Sequence, residues 1–516
     1  MRLRSFVHLL VFAFTVGATA ASGGQPLLWF AGGQPSAEAR QAVQWLLTAA
    51  DDGLDPRDYD AAALASALEQ AQPGGPQAQV DAALTAALQR YLADLQGGRV
   101  DPRRIAANFP APPRTAPDTL ALLRDAVANH QLAAVPAQFT PPVPMYAGLR
   151  QALARYRALA GHPAWQSPLP PLPRKLARGQ PYAGLPVLAQ RLQALGDLPA
   201  DAALPERFDG PLVAALEAFQ ERHGLTPDGV LGRATLQQLE ATPAQRARQI
   251  ELALERLRWT PLLQGPRMVV VNVPEFVLRA YEVRDGRIAV RLTMKVIVGK
   301  ALRTRTPLFG EDMRFIEFSP YWNVPPSIAR GETVPRLRRD PGYFEREALE
   351  FVTSSGQVVR TFAPAGLDEV VRGGWRIRQR PGERNALGGV KFVFPNNDNI
   401  YLHDTPARQL FERERRDFSH GCIRVEAPVA LAQFALQDDP AWTEDRIREA
   451  MARGVSSTVP LKRPLPVLIA YSTVIVRAGT VHFFPDLYGA DARLAQALRA
   501  RSAGLTPWRL RTAGPN

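Results

Sequence analysis

The stretch Phe418-Ser419-His420-Gly421-Cys422-Ile423-Arg424-Val425 contains the only cysteine of the 516-residue chain. A thiol acts as a nucleophile in its thiolate form, and a nearby imidazole can take its proton. One imidazole, His420, lies two residues before Cys422, and a second, His403, lies 19 residues before it. Gly421 lets the backbone approach a bound substrate closely, and a row of N–H groups there can face a developing oxyanion. The pattern favours a cysteine nucleophile served by a histidine.

The sequence around this stretch is predicted to form a β-rich domain over residues 266–490. Runs of β-branched and aromatic residues recur there, as is typical of strands. These runs cover 269–273, 276–281, 290–298, 315–318, 390–394, 400–403 and 467–476. A charged insertion at about 328–375 interrupts the series and is interpreted as a capping subdomain. Residues 491–516 are expected to be a C-terminal tail.

The N-terminal half is predicted to be helical. Apolar residues at helical spacing and an alanine-rich composition indicate an all-α scaffold domain over 25–165. A stiff proline-rich linker at 167–173 separates it from a small helical module over 174–245. The expected fold class is therefore a multidomain α+β protein with a helical scaffold, a helical module and a mainly-β domain.

Composition and charge limit the function classes. Hydrophobic residues make up 46% and charged residues 22%, which is near the globular average and excludes disorder over the whole length. The formal net charge is +13 and the isoelectric point is about 10.2. This balance favours an anionic partner, which charge alone leaves open among nucleic acid, a membrane surface and an acidic wall polymer.

Residues 1–20 have the order of a secretory signal peptide. Met1-Arg2-Leu3-Arg4 is basic, residues 6–16 are apolar, and Ala18-Thr19-Ala20 has the small residues of a cleavage site. The apolar run is shorter than the 18–20 or so residues that span a bilayer. We therefore expect an exported, periplasmic protein with no membrane span after cleavage and no nucleic-acid partner.

Two sets of motifs resemble known families. The module resembles the peptidoglycan-binding domain type 1 at Phe219-Gln220, Gly224-Leu225, Asp228-Gly229, Gly232 and Thr235-Leu236. The alternative interpretation, without a binding function, is a compact helical spacer whose turns contain glycine. The β domain resembles the L,D-transpeptidase family, of the YkuD type, in Tyr401-Leu402-His403-Asp404-Thr405-Pro406 followed by Ser419-His420-Gly421-Cys422-x-Arg424. Residues 385–388 and 294–300 also look like this family, and the large capped subgroup is the best match.

The resemblance implies roles for individual residues. Cys422 is expected to be the nucleophile, His403 its general base, and the backbone carbonyl of Asp404 the group that orients the imidazole. His420 is expected to border the substrate, and the N–H groups of His420, Gly421 and Cys422 are expected to contact the oxyanion. Substrate-binding roles are implied for Arg424, Ser419, Tyr321, Trp322 and Asn323. For the two aromatic residues, packing in the core is an equally good interpretation.

The family uses no metal and no cofactor, so none is expected here. Two alternatives remain for the cysteine: an inert buried thiol, and a zinc site formed by His403, Asp404, His420 and Cys422.

The resemblance implies an enzyme that forms 3→3 cross-links between peptidoglycan stem peptides, through a cysteine thioester and with release of terminal D-Ala. A carboxypeptidase would hydrolyse the same acyl-enzyme, and sequence does not separate the two. A non-catalytic wall-binding protein is the alternative from another class. Carbapenem β-lactams are expected to acylate Cys422, since their strained carbonyl imitates the acyl donor.

Overall fold

The computed structural model describes residues 27–510 apart from 74, 110–117, 173, 204–205, 263–264 and 303. The predicted signal peptide lies outside these residues. The expected fold class is confirmed: helical N-terminal parts precede a mainly-β domain. No helix in the described part of the chain has the length and apolar character needed to cross a membrane.

The N-terminal part packs helices around a leucine- and alanine-rich core. Ser36 begins the first helix, because its side chain accepts a hydrogen bond from the N–H of Ala39. The elements are β1 (Phe30–Ala31), β2 (Gln34–Pro35), α1 (Ala37–Leu47), α2 (Ala61–Glu69), α3 (Gln77–Gly97), β3 (Ala107–Asn108), α4 (Thr119–Ala128), α5 (Val135–Phe139) and α6 (Pro144–Ala158). Strand β3 leaves this part and joins the large sheet described below.

The small helical module shares its core with neighbouring elements. Its helices are α7 (Leu185–Leu195), α8 (Pro211–Arg222) and α9 (Arg233–Glu240), followed by the long α10 (Pro243–Trp259). Gln220 is buried and orders the module's turn, since its amide bonds to the N–H of Gly229 and the carbonyl of Val230. Helix α6 packs on α10 through Leu149 and Leu153. Although sequence placed α6 in the scaffold, its apolar face contributes to the core around the module.

The β domain is a ten-stranded sheet with a cap inserted in it. Its strands up to the cap are β4 (Arg267–Asn272), β5 (Val277–Arg284), β6 (Arg287–Gly299) and β7 (Leu308–Phe318). The cap contains β8 (Trp322–Asn323), α11 (Pro326–Ile328), a π-turn (Ala329–Thr333), α12 (Val334–Arg339), α13 (Tyr343–Arg346), β9 (Leu349–Val352), β10 (Val358–Val359), α14 (Pro364–Arg372) and β11 (Arg376–Gln379). The chain then returns to the sheet.

The remaining elements complete the β domain. They are β12 (Val390–Val393), β13 (Leu402–His403), β14 (Asp417–Ser419), β15 (Ile423–Val425), α15 (Pro428–Leu436), α16 (Glu444–Ala452), β16 (Ser457–Ala470), β17 (Val474–Arg477), β18 (Thr480–Phe483) and α17 (Ala490–Ala503). The strand order is β12-β13-β15-β6-β5-β4-β16-β7-β3, and β12 also pairs with β7, so the sheet closes on itself. Strand β14 pairs with β6.

Three expectations about boundaries differ from the structure. The run 467–476 forms the end of β16 and the start of a separate β17–β18 hairpin, because the chain bends at Thr473 between the two strands. The cap is wider than 328–375, since β8 and β11 pair at its base through Asn323 and Arg378. The expected C-terminal tail begins with α17, which buries Leu494 and Leu498 in the core of the β domain.

Candidate active site

The cysteine and histidine singled out from the sequence lie on one face of two parallel strands. Strands β13 and β15 pair with Leu402 opposite Ile423 and His403 opposite Arg424. Leu402 and Ile423 are fully buried in the core. Because side chains alternate along a strand, His403 and Arg424 face the other side. Tyr401 precedes His403 by two residues, and Cys422 precedes Arg424 by two residues. Their side chains therefore face this side as well.

His403 is buried and oriented by the backbone. Its Nδ1 lies 2.5 Å from the carbonyl oxygen of Asp404. A carbonyl only accepts, so Nδ1 carries the proton and Nε2 is left as the basic nitrogen. Burial, with smaller contributions from Arg424 and Lys391, lowers the pKa of His403 to about 3. The imidazole is therefore neutral at pH 7.

The side chain of Cys422 is half-buried. Its Sγ is 3.7 Å from the carbonyl oxygen of Asn399. Burial raises the pKa of Cys422, against opposing contributions from hydrogen bonds with Tyr401 and from the charges of Lys391 and Arg424. The thiol of Cys422 and the imidazole of His403 are thus both neutral at pH 7.

The turn between His420 and Cys422 is fixed by Ser419. The Ser419 hydroxyl donates to the carbonyl oxygen of Cys422 (2.5 Å) and accepts from the N–H of Gly421 (3.1 Å). Gly421 has φ +119°, a conformation that favours glycine. The structure therefore gives the Gly421 N–H a partner other than an oxyanion. Ser419, for which a substrate contact was expected, is buried and its hydroxyl bonds within the turn.

His420 points toward the cap. Its Nε2 lies 2.7 Å from Oε1 of Glu332 in the π-turn. The side chains of His420 and Glu332 keep 32% and 58% of their exposure, so the contact is open to water. This contact joins the turn that carries Cys422 to the inserted cap.

The segment Tyr321-Trp322-Asn323 lies at the base of the cap. Tyr321 packs beneath Arg378, whose guanidinium carbon is 4.2 Å from the ring centroid. Trp322 is half-buried against the cap core, and Asn323 is exposed on β8. A hydrogen bond with Trp322 lowers the pKa of Tyr401. Trp322 therefore lies next to the sheet face that carries Tyr401 and Cys422.

The Asp404 side chain holds a neighbouring loop. It accepts hydrogen bonds from the N–H of Gly389 (3.0 Å) and from Arg408 (3.1 Å). Gly388 has φ +61°, and a Cβ there would lie 2.3 Å from Oδ2 of Asp404. Asn385 ties the same loop to the carbonyl of Pro320. The motif at 385–388 thus positions the strand end that carries His403.

The guanidinium of Arg424 lies on the same sheet face as His403. Burial lowers its pKa, and its Nε is buried without a hydrogen-bond partner among the described residues. A guanidinium in this position can bind a carboxylate through two N–H groups.

Sequence reasoning missed four residues of this neighbourhood. Tyr401 contacts Cys422, and Lys391 lies 4.6 Å from the centre of the Tyr401 ring. Glu317 pairs with Lys391 at 3.1 Å, and Glu332 contacts His420. The two-residue alternation from His403 to Tyr401 was the available signal. Contacts with Lys391, Glu317 and Glu332 depend on strand pairing and on the cap, which the sequence does not reveal.

Within the described ranges, no group of three or more histidine, cysteine, aspartate and glutamate side chains is arranged to hold a metal ion. Asp404 bonds to Gly389 and Arg408, and His420 faces Glu332. The set considered for zinc is therefore spread over different contacts.

A neutral thiol and an oriented imidazole thus lie on one sheet face, next to the inserted cap. Residues 266–443 match the L,D-transpeptidase catalytic domain, named YkuD. Residues 184–239 match a "Putative peptidoglycan binding domain", and residues 21–153 match a "Scaffold domain". These two matches agree with the two resemblances read from the sequence, to a YkuD-type catalytic domain and to a peptidoglycan-binding domain.

A curated relative and solved structures carry the same family name. A "Putative L,D-transpeptidase" of Haemophilus influenzae is 34% identical over 249 residues, which is 48% of each chain. The chain thus aligns with about half the length of that relative. L,D-transpeptidase structures from Xylanimonas cellulosilytica and Stackebrandtia nassauensis are 16% and 14% identical, cover 58% and 59% of this chain and 100% and 97% of theirs, and have TM-scores of 0.18 and 0.23. Scores of this size add nothing to the family matches.

Proposed function

We propose that this protein is a peptidoglycan L,D-transpeptidase that forms 3→3 cross-links through a thioester on Cys422. The observation that carries the proposal is the orientation of His403. Its Nδ1–H donates to the Asp404 carbonyl, which leaves Nε2 free on the face that also carries Cys422. A base fixed in this tautomer is what a neutral thiol needs for attack.

In the first step the Cys422 thiol gives its proton to Nε2 of His403 while the sulfur attacks the carbonyl that precedes the terminal D-Ala. The carbon–nitrogen bond breaks, the amine leaves with the proton from His403, and a thioester remains. In the second step the side-chain amine of another stem attacks the thioester and loses a proton to His403. An amide cross-link forms and the thiol is restored.

The chain offers groups to stabilise this chemistry. Since Gly421 already donates to Ser419, we assign the oxyanion contact to the N–H of Cys422, with His420 bordering the substrate. Arg424 is proposed to bind a stem carboxylate, for which its unpartnered Nε is a reason. Tyr401 is proposed to donate to the thiolate, because burial raises its pKa and keeps the phenol protonated. Trp322, Tyr321 and Asn323 are proposed to bound the cleft at the base of the cap.

The proposed location follows from the substrate. Peptidoglycan lies outside the cytoplasm, which agrees with the signal peptide expected at residues 1–20 and with a positively charged chain. We therefore propose a periplasmic, wall-associated enzyme whose partners are peptidoglycan stem peptides.

The test is mass spectrometry of the purified mature protein incubated with a disaccharide-tetrapeptide, beside its Cys422→Ala form. The proposal expects a cross-linked dimer that lacks one D-Ala, formed by the wild type alone. Monomeric tripeptide as the sole product would instead identify a carboxypeptidase, in which water resolves the thioester. Absence of product with the wild type would overturn the catalytic proposal and favour a wall-binding protein.

Carbapenems give a second, independent test of the nucleophile. Their strained carbonyl is proposed to acylate Cys422 as the donor stem does. Intact mass should show one adduct on the wild type and none on Cys422→Ala. An equal adduct on both forms would contradict the assignment of Cys422.

A further inference from the structure

A groove runs between the peptidoglycan-binding module and the catalytic domain. Its volume is about 730 Å³, within the usual 300–1,000 Å³ or so of ligand sites. One wall consists of the module loop 224–227 and α9, and the other of residues 411–416 and Lys295. The floor is the segment 484–487. A second hollow of about 430 Å³ continues the groove and shares Gln237, Gln238 and residues 484–486 with it.

The walls of this groove are held at a fixed distance. Thr226 of the module donates its hydroxyl proton to Glu414 of the catalytic domain (3.2 Å). Gln249 of α10 donates to the carbonyl oxygen of Phe484 in the floor (3.0 Å). A Cβ on Gly224 would lie 2.9 Å from the Phe484 ring, so module and floor are in close contact. A groove built before the ligand arrives costs less ordering on binding.

The lining suits an acetylated sugar polymer with carboxylates. Its amide side chains come from Gln237, Gln238, Gln245 and Gln249, of which Gln237 and Gln245 are exposed. Amides donate to and accept from hydroxyl and acetamido groups. On the catalytic wall, Arg413 lies between the exposed Glu412 and Glu414 in the chain, is itself exposed, and has no ion-pair partner among the described residues. An unpaired cation of this kind can bind a carboxylate of the polymer.

Lys295, which lines the groove, lies on β6, the strand that pairs with β15. Ile297 lies opposite Arg424, and Lys295 lies two residues before Ile297 on the same side of β6. Glu426 donates its N–H to the carbonyl of Lys295 (3.2 Å), which places Lys295 beside a residue four positions from Cys422. Four strand residues span about 13 Å. An extended tetrapeptide stem covers nearly the same length, at about 3.3–3.6 Å per residue.

We propose that this groove binds a glycan strand of peptidoglycan, while a stem peptide of that strand passes Lys295 to reach Cys422. The proposal rests on the proposed function, since it names how the polymeric substrate reaches the same cysteine. In this arrangement the module and the catalytic domain bind one strand together. Soluble stem peptides need only the cysteine face, whereas polymeric substrate uses both.

Ala234→Trp tests the groove by filling it. Ala234 is exposed on α9 and lines the groove, so the indole occupies its volume without entering the core. Ala218→Trp is the matched control, because Ala218 is exposed on the helix α8 of the same module and outside the groove lining. Both changes are placed in full-length Cys422→Ala protein for binding and in the wild type for turnover.

Binding is measured by co-sedimentation with isolated sacculi and with glycan strands stripped of their stems. Ala234→Trp should weaken binding to both probes about tenfold, the loss expected of a blocked contact site, and Ala218→Trp should leave it unchanged. Turnover of a soluble disaccharide-tetrapeptide should be the same in all three proteins. Wild-type affinity of Ala234→Trp for both probes would overturn the proposal, as would equal weakening by Ala218→Trp. Failure of the wild type to turn over the soluble tetrapeptide would contradict the proposed function, and the binding result would still decide on the groove.

Discussion

The peptidoglycan-binding module and the cap are both small additions to the catalytic sheet, but they are attached in different ways. The module shares one continuous core with α6, α10 and the β17–β18 hairpin. The cap has a separate core of its own, formed by residues between Val324 and Ile377. It meets the site through the strand pair at its base and through the exposed contact of Glu332 with His420.

The difference indicates two kinds of stability. A shared core couples two regions, because neither can unfold without exposing the apolar surface of the other. A separate core joined by polar contacts can open or unfold locally at little cost to the rest. We therefore expect the module to act as a fixed part of the substrate groove and the cap to be a local unit above Cys422.

The largest expected effect is that of Phe483→Ala. Phe483 is fully buried in the shared core, with its ring centroid 5.2 Å from that of Tyr156 and 5.6 Å from that of His223. Removing a buried phenylalanine costs about 3–5 kcal/mol. We expect the free energy of global unfolding in urea to fall by this amount, and to recover in part with Phe483→Leu. Loss of protection confined to the hairpin in hydrogen exchange would show that the core is not shared.

Phe351→Ala removes an equally buried ring from the cap. Phe351 lies between Phe344 and Trp375, with ring centroids 4.8 Å and 5.7 Å away. The local cost is again about 3–5 kcal/mol, but it falls on the cap alone. We expect faster hydrogen exchange in peptides from 324–377 and an unchanged urea midpoint for the sheet. A fall in that midpoint as large as for Phe483→Ala would contradict the comparison.

Low pH is expected to reduce the stability of the module and of the cap to different extents. Burial lowers the pKa of His223, in the module, well below its ordinary value of 6.5, and no histidine occurs between 324 and 377. A histidine held neutral contributes stability that is complete above pH 6.5 and is lost as the pH falls. In the cap, the hydrogen-bonded ion pair with Arg346 lowers the pKa of Asp340. The stability that this carboxylate contributes is therefore lost only when the pH falls below 3.8, the ordinary pKa of an aspartate.

We therefore expect the shared core to lose stability as the pH falls below 6.5, at pH values where the cap does not yet lose any. The measurement is hydrogen exchange, corrected for intrinsic rates, at pH 7 and pH 5. His403, whose pKa is about 3, adds to the loss in the sheet with the same sign. Equal acid sensitivity of cap and module peptides would contradict this prediction.

The smallest effect is expected for Glu332→Gln. Its contact with His420 is exposed, and exposed ion pairs contribute about 0–1 kcal/mol. Weakening it should favour the open cap slightly and raise the rate of Cys422 alkylation by iodoacetamide by no more than about fivefold. Glu345→Gln, an exposed change elsewhere in the cap, is the control. An unchanged rate would show that the contact does not restrain the cap.

The sequence predicted what depends on local pattern. Runs of β-branched and aromatic residues predicted most strands, and the spacing of Cys422, His403 and His420 predicted the candidate site. It did not predict that α6 packs with the module, or that α17 completes the sheet core, because both depend on which distant surface a helix covers. Alanine-rich periodicity is the same in either case.

The finer chemistry of the site was also outside the reach of sequence. Ser419 and Gly421 were expected to face substrate, but their hydrogen bonds to each other become visible only when the turn is folded. Lys391 reaches the site from β12, and Glu332 reaches it from the cap. These contacts come from residues far apart in the chain, and the motif carries no signal of them.

The most direct test of the central claim is the rate of Cys422 acylation in the wild type and in His403→Ala, followed by intact mass with a carbapenem and with the tetrapeptide substrate. A positioned general base contributes about 10²–10⁴-fold, so His403→Ala should be slower by that factor. The wild-type rate should show no loss as the pH falls through 6.5, the ordinary histidine value, because the pKa of His403 is about 3. Acylation of His403→Ala at the wild-type rate, or acylation of Cys422→Ala, would contradict the account.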